Sequence, residues 1–226
     1  MDTLTRWTET CHQTKVHVWK LSTLRFERLL METFIRHYTN VIPPELCRDI
    51  IEHYEDFCAN KHEVLVKNSL CHDAEGNKIC GACNCQRLEM TRYDEFNDKV
   101  KPVVQYLRET VKRYVQDVGC VVNMWPEKYA YEAIRIKRYL NDGNQQHDLH
   151  SDSSNIRVCK RFVSIIVYLN DDFVGGETSF PFLNTKTQVQ TGSILLFPCS
   201  WNYLHKGEPI SEGYAKYVIG SFLQYA

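Results

Sequence analysis

His150-Ser151-Asp152 lies between two strand-like runs, IRIKRYL (134–140) and FVSIIVYL (162–169), and a further apolar run, SILLFP (193–198), leads into His205. A His and an Asp two residues apart on a β-strand project from one face. With a second imidazole alongside, two neutral His and one carboxylate hold one side of a metal. Three adjacent positions stay open, an arrangement suited to non-haem Fe(II). In a chain with 9 His, an H-x-D triplet alone is weak. Within the polar run NDGNQQHDLHSDSSN (141–155) both residues also read as plain loop residues. The strands on either side give the triplet its weight.

Working outward, short β-branched and aromatic runs alternate with Gly, Asn and Asp clusters from Tyr129 onward, which predicts a strand-rich barrel or jelly roll. The upstream half reads differently. STLRFERLLMETFIRH (22–37) has apolar residues near helical spacing and ends before TNVIPP (39–44), where Pro43-Pro44 stops one helix and can start the next. ELCRDIIEHYEDF (45–57) predicts an amphipathic helix with Leu46, Ile50, Ile51 and Tyr54 on one face. EFNDKVKPVVQYLRETVKRYVQDV (95–118) carries Val103, Leu107, Val111 and Tyr114 at helical spacing and is long enough to cover a sheet. The expected organisation is one domain over 1–226. Residues 1–128 form a mostly helical support with a Cys-rich loop (71–85), and 129–226 form the β-roll that carries the site.

Composition agrees. The chain has 226 residues, 43% of them hydrophobic, with 13 Tyr, 10 Phe and 4 Trp, enough for a substantial core. A net charge of −1 gives no basic field for nucleic acid or an acidic membrane surface. No apolar run approaches the roughly 18 residues of a membrane span. The N-terminal stretch is polar and charged, without the apolar centre of a secretory peptide, so a cytoplasmic location is expected. In that setting the 10 Cys point to reduced thiols or metal ligands rather than a disulfide framework.

RYLNDGN (138–144), HSD (150–152), KRFVSIIVYLNDDF followed by GGETSF (160–180), GSILLFP (192–198) and LHKGEPISEGYAKY (204–217) together resemble the Fe(II)/2-oxoglutarate-dependent dioxygenases, the prolyl 4-hydroxylase-like branch most closely. The resemblance extends over residues 129–226, and VIPPELCRDIIEHYEDF (41–57) is similar to the family's helical entry segment. It implies a mainly β fold with flanking helices around a double-stranded β-helix (jelly roll) core. It implies that His150, Asp152 and His205 hold the catalytic iron. Lys216 then anchors the far carboxylate of 2-oxoglutarate through a charge-assisted pair in a narrow, partly apolar pocket. Tyr139 hydrogen-bonds the same carboxylate. Tyr168, in the neighbouring strand, does likewise or packs in the core. The implied cofactors are Fe(II), 2-oxoglutarate and O2, with ascorbate. The implied reaction hydroxylates a prolyl or other side chain of a peptide or protein. Hydroxylation of a small molecule such as a free amino acid, or of a nucleobase, is the alternative. A non-catalytic β-roll that binds a partner is a third reading. Nucleic-acid dealkylases carry two downstream arginines, and no Arg follows Arg161 here, so a nucleic-acid partner is not expected.

Other residues keep two readings. His147 and Asp148 are adjacent, so on a strand they face opposite sides, and His147 is expected on the substrate side or in solvent. His205 also reads as a satisfied core histidine. In GGET (175–178) the glycines permit a turn or a close backbone approach, and Thr178 is expected to face the iron site. Arg161 either pairs with a substrate carboxylate or caps the roll's edge. Trp201 either walls the site or belongs to the core. Cys71, Cys80, Cys83 and Cys85, with His72 as a substitute ligand, either hold structural zinc or are free thiols in a substrate-covering loop.

Overall fold

Alternating apolar residues make strands with two usable faces, and here both faces are covered. The computed structural model describes residues 34–60, 66–67, 83–120 and 124–226. In chain order the described elements are β1 (Arg36–Tyr38), α1 (Pro44–Asn60), β2 (Val66–Lys67), β3 (Gln86–Glu89), α2 (Asn97–Asp117), β4 (Tyr129–Tyr131), β5 (Arg135–Leu140) and β6 (His147–His150). There follow β7 (Arg161–Tyr168), β8 (Val174–Gly175), β9 (Thr178–Phe180), β10 (Thr185–Thr187), β11 (Ile194–Pro198), β12 (His205–Gly207), β13 (Ile210–Glu212) and β14 (Ala215–Tyr225). An eight-stranded sheet runs β1-β11-β7-β14-β5-β3-β2, with β4 also paired to β14; a four-stranded sheet runs β10-β9-β12-β6, and β13 pairs with β8. The larger and smaller sheets form the two walls of a jelly roll.

The period of two sorts each strand. On β7, Val163, Ile165 and Val167 face outward and pack with Ile50, Tyr54, Leu107, Val111 and Tyr114 of the helices. Tyr168 turns inward, onto a second cluster with Tyr139, Phe180, Leu195, Phe197 and Val218. This is why FVSIIVYL is nearly continuous in apolar character: a strand covered on both sides needs no polar face. The four residues expected on the apolar face of 95–118 (Val103, Leu107, Val111 and Tyr114) are all buried. Each such side chain contributes about 1.5–3 kcal/mol by leaving water. Pro44 opens α1, where its missing N–H has no helical partner to lose.

The helix expected over 22–37 is corrected at its C-terminal end. Arg36–Tyr38 form an edge strand against β11, with Arg36 opposite Leu196 and Tyr38 opposite Ile194. β11 offers an unpaired ladder there, and Tyr38 is buried with its hydroxyl donating to Asp117 Oδ2 at 3.0 Å. This tertiary pairing overrides a local helical period. The remainder of that expected helix, up to residue 33, lies outside the described residues. Among the described residues no helix is long and apolar enough to cross a membrane, and the described cysteines are all free thiols.

Candidate metal centre

β6 and β12 pair antiparallel in the smaller sheet, with His150 directly opposite His205. Asp152 is not on the strand with His150, as the period-of-two argument expected: β6 ends at His150 and Asp152 lies in the following turn. The turn achieves what the strand was expected to do. Asp152 Oδ1 lies 3.3 Å from His150 Nε2, and Oδ2 lies 3.4 Å from His205 Nε2. Ser151 and Ser153 pin this turn, both hydroxyls donating to the Cys199 carbonyl at 2.9 Å.

Each imidazole is oriented from behind. His150 Nδ1 is 2.7 Å from the Asp148 carbonyl and His205 Nδ1 is 3.0 Å from that of Tyr203. A carbonyl only accepts, so both Nδ1 atoms carry the proton and both Nε2 lone pairs face the same space. The third group is steadied by Ser164, whose hydroxyl donates to Asp152 Oδ2. Asp152 is 8% and His205 4% exposed. Burial alone would raise the Asp152 carboxyl, but His205, His150 and the Ser164 hydroxyl outweigh it and hold it well below the usual carboxylate range. Burial pushes His205 down to about 4, so its ring is neutral at pH 7.

These three residues fit a metal ion. Their ligand atoms lie within 4.8 Å of one another, the one such group among the described residues. His150 Nε2 is buried and has no hydrogen-bond partner. An orphaned lone pair in a protein interior costs free energy unless something fills its direction, and a cation between two imidazoles and a carboxylate does so.

Next to this centre is a small pocket lined by Lys137, Tyr139, His147, Ile166, Thr178, His205, Gly207, Lys216, Val218 and Gly220. Lys216 is 4% exposed and stands opposite Tyr139 across β14 and β5. Its ammonium donates to the Gly176 carbonyl at 2.5 Å and lies 5.1 Å from the Tyr139 ring. Burial, then the nearby Lys137, lowers it from 10.5 to about 8. Gly176 has φ +71°, and a Cβ there would fall 2.7 Å from Phe173 and 3.1 Å from the Lys216 chain, so the second glycine of GGET lets its carbonyl meet the ammonium. The Tyr139 hydroxyl is 3.3 Å from Cys83 Sγ. Tyr168 is fully buried and shares a 2.7 Å hydrogen bond with Thr178 Oγ1; its ring is 5.9 Å from the Lys216 ammonium. Thr178 thus lines the pocket together with His205, while also tying down Tyr168.

His147 is on the inner side rather than in solvent. Its ring stacks on His150 at 3.7 Å, and burial drives it well below its usual range. Of the two readings of Arg161, the structure favours the structural one. Arg161 Nε and one Nη grip Glu132 at 2.5 and 2.8 Å, and the guanidinium covers the Phe222 ring at 3.8 Å. Trp201 is 78% exposed and so is not core. Cys71 and Cys80 lie outside the described residues. Cys83 and Cys85 are 3.1 Å apart beside Tyr139, and Cys83 bridges to His147 through its backbone. Sequence reasoning passed over Ser164 and Lys137. The signal for Ser164 was a lone hydroxyl within an apolar strand; for Lys137 it was a position two residues before Tyr139, hence on the same strand face.

Residues 134–224 match the model of the 2OG-Fe(II) oxygenase superfamily. A putative prolyl 4-hydroxylase of Acanthamoeba polyphaga mimivirus is 33% identical over 100 residues, which span 36% of this chain and 40% of that relative. The fold is similar to a viral collagen prolyl hydroxylase from Paramecium bursaria Chlorella virus-1, solved with 2OG (TM-score 0.60, 18% identity, 85% of this chain and 97% of that one). It is also similar to a Trichoplax adhaerens prolyl hydroxylase solved with a hypoxia inducible factor oxygen degradation domain peptide fragment (TM-score 0.61, 14% identity, 93% and 94%). A Pseudomonas putida prolyl-4-hydroxylase gives a TM-score of 0.56 at 15% identity, over 90% of this chain and 100% of that one.

Proposed function

On the match of residues 134–224 to the 2OG-Fe(II) oxygenase superfamily model, we propose that the chain is an Fe(II)- and 2-oxoglutarate-dependent hydroxylase acting on a prolyl or other side chain of a peptide or protein. The observation that carries the reading is one pocket in which His205, a member of the convergent His150, Asp152 and His205 group, is joined by the buried Lys216 and by Tyr139. When bound, ferrous iron with 2-oxoglutarate supplies the O2-dependent hydroxylating chemistry, with succinate and CO2 as by-products; ascorbate in this reading keeps the iron ferrous.

The chain's own part follows from the geometry. His150, the neutral ring of His205 and the ionised Asp152 would offer three donors to the ion. Lys216 meets the distal carboxylate in a dry setting, where a charge-assisted hydrogen bond is strong. Tyr139, Thr178 and Val218 line the pocket that would take the cosubstrate, and Tyr168 stands behind Thr178, sharing a hydrogen bond with its hydroxyl. Such enclosure keeps water from a reactive centre. The prolyl hydroxylases among the similar proteins support a peptide substrate. Zinc held by Cys71, Cys80, Cys83 and Cys85 is a separate expectation, decided by elemental analysis after mild iron removal.

The test is incubation of the protein with Fe(II), 2-oxoglutarate, ascorbate and a library of proline-containing peptides, read by mass spectrometry. Peptides gaining one oxygen in step with succinate are expected. Succinate formation without any oxidised peptide would redirect the search to small molecules, and absence of both would overturn the reading.

A further inference from the structure

The pocket contains a second ammonium that the reading above does not use. Lys137 lies on β5 two residues before Tyr139, so both face the interior of the roll. Across the ladder its partner on β14 is Val218, one inward position beyond Lys216. The next inward position is Gly220, where an added Cβ would sit 3.8 Å from Lys137 Cε and 4.0 Å from Nζ. The end of the lysine side chain therefore lies in van der Waals reach of Gly220, and a side chain larger than a methyl there would press on it.

Among the described residues, nothing forms a hydrogen bond or ion pair with the Lys137 ammonium. The contrast with other lysines is informative. Lys99, Lys186 and Lys206 each meet a carboxylate, at 2.5, 2.7 and 2.9 Å. The carboxylates near the pocket are already engaged: Asp152 by Ser164 and the two imidazoles, Glu177 by Lys186. Lys137 lines the same small pocket as Lys216, the proposed distal anchor, and as His205, one of the three convergent donors. Two lysines lining one cavity, with the carboxylates near it among the described residues already engaged, complement an anion with charge at both ends.

Resting on the proposed function, we infer that Lys137 is a second carboxylate contact of the cosubstrate pocket, engaging the carboxylate next to the metal while Lys216 engages the distal one. The free volume is about 40 Å³, room for little more than a water. The dicarboxylate enters as the Lys137 stem, unbranched and held by no bond, swings away from Gly220. Its ammonium then closes on the metal-proximal end.

Binding, rather than turnover, tests this. The Mn(II)-loaded protein is titrated calorimetrically with 2-oxoglutarate and with 2-oxovalerate, which keeps the 2-oxo acid and replaces the distal carboxylate by a methyl. Lys137→Met should raise Kd for both ligands by a similar factor, about tenfold or more, the usual cost of losing a charged hydrogen bond. Lys216→Met should raise Kd for 2-oxoglutarate alone. Lys137→Arg should retain most of the affinity. If Lys137→Met weakened neither ligand, or only 2-oxoglutarate, the assignment would be wrong. Should the Met variant fail to fold, Lys137→Gln gives the same comparison. A wild-type protein that bound metal but neither ligand would refute the proposed function instead, an outcome distinct from the variant pattern.

Discussion

Replacing Lys216 by Met should move stability and ligand affinity in opposite directions. The ammonium is 4% exposed and is lowered from 10.5 to about 8, chiefly by burial. A shift of that size corresponds to about 3 kcal/mol spent on keeping the charged form inside the ligand-free protein, at about 1.4 kcal/mol per unit. The hydrogen bond to the Gly176 carbonyl returns about 1 kcal/mol, and the variant forfeits it. The ligand-free Met variant should therefore be more stable by about 1–2 kcal/mol, or roughly 2–8 °C in Tm for a chain of this size. The sign of the pH dependence is fixed. A lysine with a lowered folded value binds fewer protons folded than unfolded between about 8 and 10.5, so wild-type stability rises with pH across that window. The gap between variant and wild type is widest below pH 8 and closes toward pH 10.5. Cosubstrate binding should fall by about 2–5 kcal/mol, because the distal carboxylate is left desolvated and unpaired. Scanning calorimetry without ligand, followed by titration with 2-oxoglutarate on the Mn(II) form, reads both. A variant that melted lower at every pH and bound 2-oxoglutarate as well as wild type would show that Lys216 is a structural strand lysine.

The remaining predictions concern the metal end. Alanine at His150, Asp152 or His205 should abolish stoichiometric Fe(II) retention while circular dichroism stays native; His147→Ala should retain the metal, and the reverse pattern would reassign the ligand. Ser164→Ala should weaken metal binding by about 10–100-fold, since it frees the Asp152 carboxylate to rotate, and competition with a colorimetric chelator measures it. The Kd for 2-oxoglutarate should be flat up to about pH 8 and then rise by up to tenfold per pH unit as the Lys216 ammonium is lost; a flat profile to pH 9.5 would mean that another cation carries the interaction.

The sequence held the chemistry of this site more fully than its geometry. His150, Asp152 and His205 could be singled out as candidates because they lie beside recognisable apolar runs, whereas Lys216 stood out only through the family resemblance; the structure draws the first three together and buries the fourth. The assumption that one strand carries both His150 and Asp152 failed, because a strand's end is set by its neighbour. β12 stops pairing with β6 at His150, and the two Ser hydroxyls on the Cys199 carbonyl then turn the chain. β1 was hidden for the same reason: an edge strand of three residues exists only because β11 offers it a ladder. Helices were better served, since the face of α2 follows from a period internal to the segment.

Lys137 marks a subtler boundary between what sequence and structure each supply. Its face was deducible from Tyr139 by counting two, yet a lysine within a strand ordinarily implies solvent. Only the pairing of β5 with β14 brings Gly220 close enough to leave room for the stem inside the roll. An inward lysine opposite a glycine is a coupled pair of residues far apart in sequence. Filling Gly220 with a side chain should therefore displace the Lys137 ammonium without touching the metal ligands. Gly220→Val should reproduce the affinity loss of Lys137→Met for both 2-oxo acids, and combining the two changes should add little beyond either one. Fully additive losses would mean that the glycine and the lysine act on the ligand separately, and that the space across Gly220 is not what holds the ammonium in the pocket.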